Sequence, residues 1–368
     1  MSAALNVFVC AGEVSGDGAA AAVVAELRAR LPGVRCWGVG GAALDAAGVE
    51  LLARSEDLAV AGLSEALALL PRVAALRWRL ERAWRARRPD LALLVDYPGL
   101  NLRLARALRR AGVPVLFYVA PQRWAWRAEG AARVGRDTEV LAVVLPFEVD
   151  WYARHGVVAT FVGHPALDRP VTLSRRATRQ ALGIDGERPR VAVFPGSRQH
   201  ELERHLPLLR RAFERLPGVE PLVVPATAAL AARCRRLVPT WRQVETAQAL
   251  AVADAALCKA GTVTLEAALA GVPLAAFYRL SALSYAVLRR VVAVPYVALP
   301  NVLAQAPIVP ELLQGELTPE AIVAVVARLL QPRYAAWQRG RLAEVAAGLG
   351  PPGAAIRVAE LAQRLIGR

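Results

Sequence analysis

Apolar and polar positions repeat along the first half of the chain in one order: a short apolar run, a turn, and then an amphipathic stretch. Asn6 to Val9 precedes a predicted helix from about Ala19 to Arg30, and Leu91 to Val95 precedes one from about Leu102 to Ala111. Strands that alternate with helices are typical of a parallel sheet covered by helices on both faces. The first half is therefore predicted to be a doubly wound α/β domain.

The same rhythm returns after Pro189, where strands are predicted at Val191 to Phe194, Leu222 to Pro225 and Ala255 to Cys258. A second doubly wound domain follows from it. The stretch from Val162 to Thr178 contains two prolines and little apolar periodicity, so it is the best candidate for a linker. We expect domains at residues 1–168 and 169–345. The pattern does not assign the segment 346–368, with its predicted helix at about 354–366, to either domain.

The length of 368 residues exceeds what a single compact core favours, which agrees with two domains. No apolar run reaches the ~18 uncharged residues of a membrane-spanning helix. The first ten residues lead directly into a strand without a basic start or a cleavage site, so we expect a cytoplasmic protein.

The four cysteines are far apart in sequence and mostly in apolar surroundings, and we interpret them as reduced core residues.

A net charge of +15 calls for an anionic partner, which could be a nucleic acid, an anionic membrane surface or a phosphorylated substrate. The basic residues are spread over many predicted helices and do not form one stripe with stacking aromatics. That distribution argues against nucleic acid.

Ligands of open parallel sheets bind at the carboxyl ends of the strands, so the loops after the predicted strands carry the candidate chemistry. The loop after the first strand offers two glycines for close backbone approach, a serine and two carboxylates: Gly12, Glu13, Ser15, Gly16 and Asp17. It lacks the three-glycine spacing of a dinucleotide fingerprint. Asp96 and Arg198 also follow predicted strands and suit a general base and a phosphate clamp, although a helix cap and a surface ion pair explain them equally well.

The loop after the strand at 255–258 opens a helix through the small residues Gly261 and Thr262. Backbone N–H groups there can hold phosphate oxygens, Thr262 and Thr264 can add hydroxyl donors, and Glu266 can accept hydrogen bonds from ribose hydroxyls. An ordinary helix cap accounts for the same residues.

Eight segments in order together resemble the lipid-A-disaccharide synthase family. They are Gly12–Asp17, Asp96–Asn101, Tyr118–Arg127, Leu145–Glu148, Val162–Pro165, Pro195–Arg198, Gly261–Glu266 and Tyr296–Asn301. The resemblance implies a B-type glycosyltransferase fold, α/β with two Rossmann-like doubly wound domains facing across a cleft. It implies an inverting transferase that uses no metal ion and no other cofactor.

The resemblance also implies roles for individual residues. Arg198 and the Gly261-Thr262 turn would contact the pyrophosphate, Glu266 the ribose, and Asn301 would help to hold the nucleotide. Asp96 would be the catalytic base, assisted by positive charge from Arg198, and the loop from Gly12 to Asp17 would face the same cleft. Two positions depart from the family pattern: Lys259-Ala260, where a serine commonly precedes the glycine, and Arg123, where an apolar residue or serine is more common.

The implied reaction moves 2,3-diacylglucosamine from UDP to the 6-hydroxyl of 2,3-diacylglucosamine 1-phosphate. Such substrates imply a cytoplasmic enzyme at the periphery of the inner membrane. A helix from about Pro71 to Arg88 is the candidate surface for anionic headgroups or acyl chains. Its candidate residues are Arg72, Leu76, Trp78, Arg79, Leu80, Arg82 and Trp84. The alternative is a helix that packs on the core and exposes a basic face to solvent. The pattern alone favours this alternative, whereas the implied lipid substrate favours the membrane surface.

Two other functions fit the same fold. One is another UDP-sugar-dependent lipid glycosyltransferase, and the other is a UDP-sugar epimerase, which would release no disaccharide. A homodimer is a hypothesis that the sequence leaves open.

Overall fold

The computed structural model of the protein describes residues 5–55, 63–125, 130–169, 173–281, 285 and 294–367. For residues 63–73 it describes the backbone only. The chain divides into two compact units. The first includes Met1–Asp168 and Leu349–Arg368, and the second includes Arg169–Arg290 and Val294–Gly348.

The first unit contains a parallel sheet of seven strands in the order β3-β2-β1-β4-β5-β6-β7. The strands are β1 Asn6–Ala11, β2 Arg35–Gly40, β3 Glu50–Arg54, β4 Leu91–Val95, β5 Val115–Tyr118, β6 Val140–Val143 and β7 Thr160–Phe161. The helices between them are α1 Val14–Arg30, α2 Ala42–Ala46, α3 Leu63–Arg87, α4 Pro98–Arg110, α5 Ala131–Asp137 and α6 Phe147–Ala153.

The second unit contains a parallel sheet of six strands in the order β10-β9-β8-β11-β12-β13. Its strands are β8 Arg190–Phe194, β9 Glu220–Val223, β10 Arg242–Gln243, β11 Ala255–Lys259, β12 Leu274–Tyr278 and β13 Glu311–Leu313. Its helices are α7 Arg175–Ala181, α8 Gln199–Phe213, α9 Ala228–Leu237, α10 Thr246–Val252, α11 Val263–Leu269, α12 Leu299–Ala304, α13 Pro319–Leu329 and α14 Pro332–Gly348.

The order of strands reverses direction once in each sheet. In the first unit the reversal lies between β1 and β4, and in the second it lies between β8 and β11. Neighbouring loops diverge to opposite faces at such a point, which opens a crevice where open α/β sheets bind ligands. The four loops singled out from the sequence follow these four strands. The predicted fold class, α/β with doubly wound parallel sheets, is confirmed.

The strands at the two reversals are buried along nearly their whole length because helices cover both faces of each sheet. All four cysteines are buried and unpaired, as predicted. Two helices begin earlier than predicted: α1 begins at Val14, and α4 begins at Pro98, whose ring presets the backbone angle of a first helical position.

The final helix, α15 Ala354–Ile366, packs against α1 in the first unit. The carboxylate of Asp168 accepts hydrogen bonds from the backbone N–H groups of Gly353, Ala354 and Ala355 at 2.5, 3.2 and 2.9 Å. Arg357 Nε donates to the carbonyl oxygen of Val162 at 2.7 Å. Long-range contacts therefore assign a helix that the sequence pattern left unassigned.

Candidate functional site

The loops that follow β1 and β4 touch each other at the strand reversal of the first sheet. A Cβ placed on Gly12 would lie 2.3 Å from the ring of Tyr97, so only glycine permits this approach. A Cβ placed on Gly16 would lie 3.6 Å from Asp96 Cβ, an ordinary contact. The structure thus brings Gly12, Gly16 and Asp96 together at this end of the sheet.

Asp96 is held in an uncommon backbone conformation. Asp96 and Tyr97 have φ angles of 51° and 49°, in the left-handed region that non-glycine residues seldom occupy. The Asp96 N–H donates to Tyr118 O at 2.9 Å, and buried Asn101 places its Nδ2 within 2.7 Å of Asp96 O and 3.2 Å of Cys10 O. Strained residues persist only where their surroundings hold them, and they concentrate at functional sites. Asn101, to which the sequence assigned no role, positions Asp96.

The first turn of α1 replaces much of the predicted loop, because the helix already includes Ser15, Gly16 and Asp17. The Asp17 carboxylate is buried and accepts hydrogen bonds from the N–H groups of Gly41 and Ala43 at 2.6 and 2.8 Å. It caps α2, so the prediction that Asp17 faces a ligand is wrong. Glu13 and Ser15 are half-buried at the beginning of α1.

At the reversal of the second sheet, Glu201 organises the loop between β8 and α8. Its Oε2 accepts hydrogen bonds from the N–H groups of Ser197 and Arg198 at 2.8 and 3.2 Å. Gly196 has a φ of 132°, and a Cβ there would lie 2.4 Å from Glu201 Oε2. The half-buried Arg198 is thereby placed at the beginning of α8. Glu201 was not predicted from the sequence, although a glutamate three residues after the N-cap position of a helix is one half of a capping-box signal.

Lys259 joins the end of β11 to this loop. Its Nζ lies 3.2 Å from Glu201 Oε1 and 4.8 Å from the centre of the Tyr278 ring. Burial by itself would raise the pKa of the Glu201 carboxyl, but Lys259 together with the Ser197 N–H and Arg198 outweighs burial and lowers that pKa. The carboxylate is therefore ionised, and it holds the two loops together.

His205 anchors the same region from α8. Its Nδ1 lies 2.7 Å from Pro195 O, and its Nε2 lies 3.2 Å from the Arg279 N–H that donates to it. An acceptor Nε2 requires the proton to sit on Nδ1. Burial lowers the pKa of His205, so the ring is neutral and serves as a rigid link between the chain after β8 and the chain after β12.

The turn between β11 and α11 contains the other predicted nucleotide residues of this unit. Around the Cβ position of Gly261 the nearest atom is Lys259 Nζ at 3.8 Å, so the backbone there is open to a ligand. The Thr264 hydroxyl is buried and donates to Gly261 O at 2.7 Å. It is therefore not a donor for a ligand, and only Thr262 keeps that predicted role.

Glu266 lies one turn into α11 and is half-buried. Burial raises the pKa of its carboxyl, and the charge of Arg169 opposes that shift. Within the described part of the chain no hydrogen bond to this carboxylate is found. A partly desolvated carboxylate of this kind gains from hydroxyl donors, which is the environment expected for a residue that binds ribose.

The amide of Asn301 forms hydrogen bonds within the second unit. It is fully buried in α12, where its Nδ2 donates to Val309 O and Glu311 Oε1, both at 2.8 Å. Its Oδ1 accepts from the Val309 N–H at 2.7 Å. The Glu311 carboxylate also accepts from the N–H groups of Val297 and Ala298. The Asn301 amide is thus used within the fold, so any part that it has in holding the nucleotide is indirect, through the chain that it fixes at Val309 and Glu311.

The candidate membrane helix has two kinds of residue on it. Leu76, Leu80 and Trp84 are buried in the core of the first unit, so their prediction as membrane or acyl contacts is wrong. They follow the helical repeat of the face that covers the sheet. Trp78 is 61% exposed, and the guanidinium of exposed Arg82 lies 5.8 Å from the centre of its ring.

Two further candidate membrane residues, Arg79 and Arg72, lie on α3. Arg79 is exposed, and its Nη2 donates to Leu52 O at 3.0 Å. The side chain of Arg72 lies outside the described residues.

The segment at Trp124 is built around a buried carboxylate. Glu148 accepts hydrogen bonds from Trp124 Nε1 at 2.9 Å and from the N–H groups of Val144 and Leu145 at 3.1 and 3.0 Å. Burial nevertheless raises the pKa of Glu148 to about 7. Trp124 is a packing residue, in edge-to-face contact with Phe147.

Two features are absent from the described ranges of the chain. No group of three or more histidine, cysteine, aspartate or glutamate side chains is arranged to hold a metal ion there. No helix there is long and apolar enough to cross a membrane.

Two doubly wound units, each with candidate ligand loops at its strand reversal, form an architecture that also occurs in B-type glycosyltransferases and UDP-sugar epimerases. The UDP-GlcNAc 2-epimerase from Neisseria meningitidis, solved with UDP-GlcNAc, has a TM-score of 0.66 at 13% identity and covers 98% of this chain and 99% of its own. The glycotransferase of kitacinnamycin has a TM-score of 0.60 at 19% identity over 98% of both chains. At these identities the likeness concerns the fold.

The family follows from sequence comparison. The family model described as lipid-A-disaccharide synthetase matches residues 7–338. The lipid-A-disaccharide synthase of Anaeromyxobacter dehalogenans strain 2CP-1 is 45% identical, with 96% of each chain covered, and that of Myxococcus xanthus is 40% identical, with 98% of this chain and 97% of the relative covered. The chain belongs to the lipid-A-disaccharide synthase family and is a glycosyltransferase, as the resemblance predicted.

Proposed function

We propose that this protein transfers 2,3-diacylglucosamine from UDP to the 6-hydroxyl of 2,3-diacylglucosamine 1-phosphate and releases UDP and a β-linked disaccharide. The observation that carries the proposal is the match to relatives named lipid-A-disaccharide synthase over nearly the whole chain. The candidate residues at both strand reversals supply chemistry that suits this reaction.

On the first unit, Asp96 takes the proton of the acceptor 6-hydroxyl as that oxygen attacks the anomeric carbon of the donor. The bond from that carbon to the UDP oxygen breaks, the electron pair leaves with UDP, and the configuration inverts. A base that sits close to the hydroxyl contributes typically 10²–10⁴-fold. Hydrogen bonds hold the backbone of Asp96 in one conformation. This suits a general base, because a base acts only within hydrogen-bonding reach of the proton.

On the second unit, Arg198 and the Gly261-Thr262 turn bind the diphosphate and stabilise the charge that develops on the leaving UDP. Glu266 accepts hydrogen bonds from the ribose hydroxyls. We assign no direct substrate contact to Asn301 or Asp17, because their polar atoms form hydrogen bonds within the fold.

The experiment is incubation of the purified protein with UDP-2,3-diacylglucosamine and 2,3-diacylglucosamine 1-phosphate in detergent micelles, with UDP and disaccharide followed by mass spectrometry. We expect both products in equal amounts. UDP without disaccharide would favour another acceptor lipid, and an epimerised donor would favour the epimerase alternative.

Two variants test the assigned roles in the same assay. Asp96→Asn removes the base and leaves the shape, so turnover is expected to fall by a factor on the order of 10²–10⁴ while UDP binding is retained. Arg198→Ala is expected to weaken UDP binding. Near-full turnover of Asp96→Asn would show that the base assignment is wrong.

Acylated substrates reside in a bilayer, and we propose that the enzyme docks on the anionic surface of the inner membrane through Trp78, Arg79 and Arg82. The exposure of these side chains on α3 supports the docking, since an aromatic ring with neighbouring guanidinium groups suits an anionic interface and each basic residue adds about 1 kcal/mol there.

Sedimentation with anionic vesicles tests this docking surface: the double variant Trp78→Ala/Arg82→Ala should bind the vesicles more weakly than the wild type. The matched control is Trp337→Ala, a 46% exposed tryptophan of the second unit. Equal loss in the control would overturn the docking surface.

A further inference from the structure

Lys259 has an unusual place in the composition of this chain. The sequence contains 46 basic residues, and Lys259 is the one lysine among them, so the remaining 45 are arginines. It stands at the carboxyl end of β11, beside the strand reversal of the second sheet. A lysine ammonium is a compact point charge with three donors, whereas arginine presents a wide planar fork. A chain that uses arginine everywhere else uses the compact cation at this one position.

The surroundings of Lys259 hold its ammonium in one place. Glu201 Oε1 lies 3.2 Å from Nζ, and the Tyr278 ring lies beneath it at 4.8 Å. An ammonium has three N–H donors, and in the described part of the chain Glu201 is the one acceptor found for it. The Cβ position of Gly261 is 3.8 Å from Nζ, so the uncommitted donors lie next to the open backbone of the proposed phosphate turn.

The local charge balance favours an anion at this point. The charges of Glu201, Arg198 and Arg204 all act on Tyr278, and Lys259 adds a positive charge 4.8 Å from the centre of its ring. Glu201 is already occupied on its other oxygen by two backbone N–H groups. An ion pair with one nearly buried partner adds little net stability by itself, because desolvation offsets the attraction. A diphosphate, with a negative charge on each phosphate, suits a site where several basic side chains lie close together.

We propose that Lys259 is a phosphate-binding residue of the donor site, whose ammonium donates a hydrogen bond to the diphosphate of the nucleotide sugar while Glu201 and Tyr278 hold it in position. The proposal rests on the proposed function, since it assumes that a nucleoside diphosphate binds at this strand reversal. It gives Glu201 a positioning role, because that carboxylate orients both Lys259 and the Arg198 backbone.

The first test uses the uniqueness of the lysine. An amine-acylating reagent can modify only Lys259 and the terminal amine, and mass spectrometry of the digested wild-type protein separates the two. UDP is expected to slow acylation of Lys259 at least severalfold and to leave the terminal amine unaffected, whereas uridine, which has no phosphate, leaves both unaffected. Equal acylation of Lys259 with and without saturating UDP would overturn the proposal.

The second test measures affinity for UDP and for uridine by calorimetry. Lys259→Met keeps the length of the side chain and removes the charge, so UDP binding is expected to weaken by about 10- to 100-fold, as for loss of a hydrogen bond to a charged group. Uridine affinity should be unchanged. Lys259→Arg should lie between the wild type and Lys259→Met. The control, Arg211→Met, removes an exposed charge from the far end of α8 and should not change either affinity.

Each remaining outcome has one meaning. A parallel loss of UDP and uridine affinity in Lys259→Met would indicate that the lysine only supports the loop, and wild-type UDP affinity in that variant would exclude the contact. If the wild type itself failed to bind UDP, the proposed function would fall together with this inference. If Lys259→Met did not fold, the acylation test on the wild type would still decide.

Discussion

Replacement of Gly12 by alanine should disturb the first strand reversal, and the structure gives the size of the disturbance. The added Cβ would lie 2.3 Å from two carbon atoms of the Tyr97 side chain, whereas a relaxed carbon contact needs about 3.5–4.0 Å. The ring must therefore move by roughly 1 Å. Its backbone is constrained, because Tyr97 has a φ of 49° and stands directly before Pro98 of α4.

The free energy follows from two opposing effects. Forcing a group into a packed site costs typically about 1–3 kcal/mol, and the reduced entropy of the unfolded chain in a glycine-to-alanine change returns about 0.4–1 kcal/mol. We expect a net loss of about 1–2 kcal/mol in the free energy of unfolding. Because Asp96 is the neighbour of Tyr97, a displacement of about 1 Å should also lower turnover, by a factor on the order of 10².

Gly16→Ala is the matched control. The added Cβ would come no closer than 3.6 Å to the neighbouring loop after β4, and alanine is the better helix former by about 1 kcal/mol, so stability should be equal or higher. Urea unfolding followed by tryptophan fluorescence gives the stabilities, and UDP release gives turnover. A second change, Tyr97→Ala in the Gly12→Ala background, should recover part of the lost stability. Equal stability and turnover for Gly12→Ala and Gly16→Ala would refute the contact between the two loops.

Three further predictions test other parts of the site. Asn301→Ala should lower the free energy of unfolding by about 2–4 kcal/mol, since it leaves the buried N–H and carbonyl groups of Val309 without their partner and removes one donor from Glu311; a purely ligand-binding asparagine would leave the thermal midpoint unchanged. Glu266→Gln should weaken binding of UDP and uridine alike, in contrast with Lys259→Met, and a calorimetric loss confined to UDP would contradict a ribose contact. The pKa of Glu148 is raised to about 7, so the folded state binds the proton more tightly than the unfolded state. Glu148 should therefore contribute up to about 3 kcal/mol of stability that is fully present below pH 4.5 and is lost as the pH rises through 7, so over this range the free energy of unfolding of the wild type should fall relative to that of Glu148→Gln in denaturant unfolding.

Much of the site could be predicted because its chemistry lies next to buried strands. Parallel strands are covered on both faces and therefore appear in the sequence as short apolar runs, and their carboxyl ends mark the loops. Asp96, Arg198 and Gly261 were found in this way, and the structure has them at the two strand reversals. A resemblance over eight segments then supplied the reaction, which neither composition nor periodicity contains.

The departures from the predicted site share one physical cause. Asp17, Asn301 and Thr264 are polar residues near the expected loops, and each turned out to hydrogen-bond within the fold. For Asp17 the partners lie 24 to 27 residues away, and which N–H group a carboxylate meets depends on how the chain packs. Leu80 and Trp84 show the same limit for apolar residues: a helical repeat identifies a buried face without saying whether protein or lipid covers it.

The sequence by itself determined the α/β class, the loops with candidate chemistry and, through its motifs, the family, and it favoured two domains. These depend on local periodicity and on short segments, which a single chain displays directly. Only the tertiary structure decided the order of the strands, the unit to which α15 belongs, and which polar side chains are left for a ligand. Those outcomes depend on pairings between residues far apart in sequence, such as Lys259 with Glu201, because a side chain's partner is set by packing and not by its neighbours along the chain.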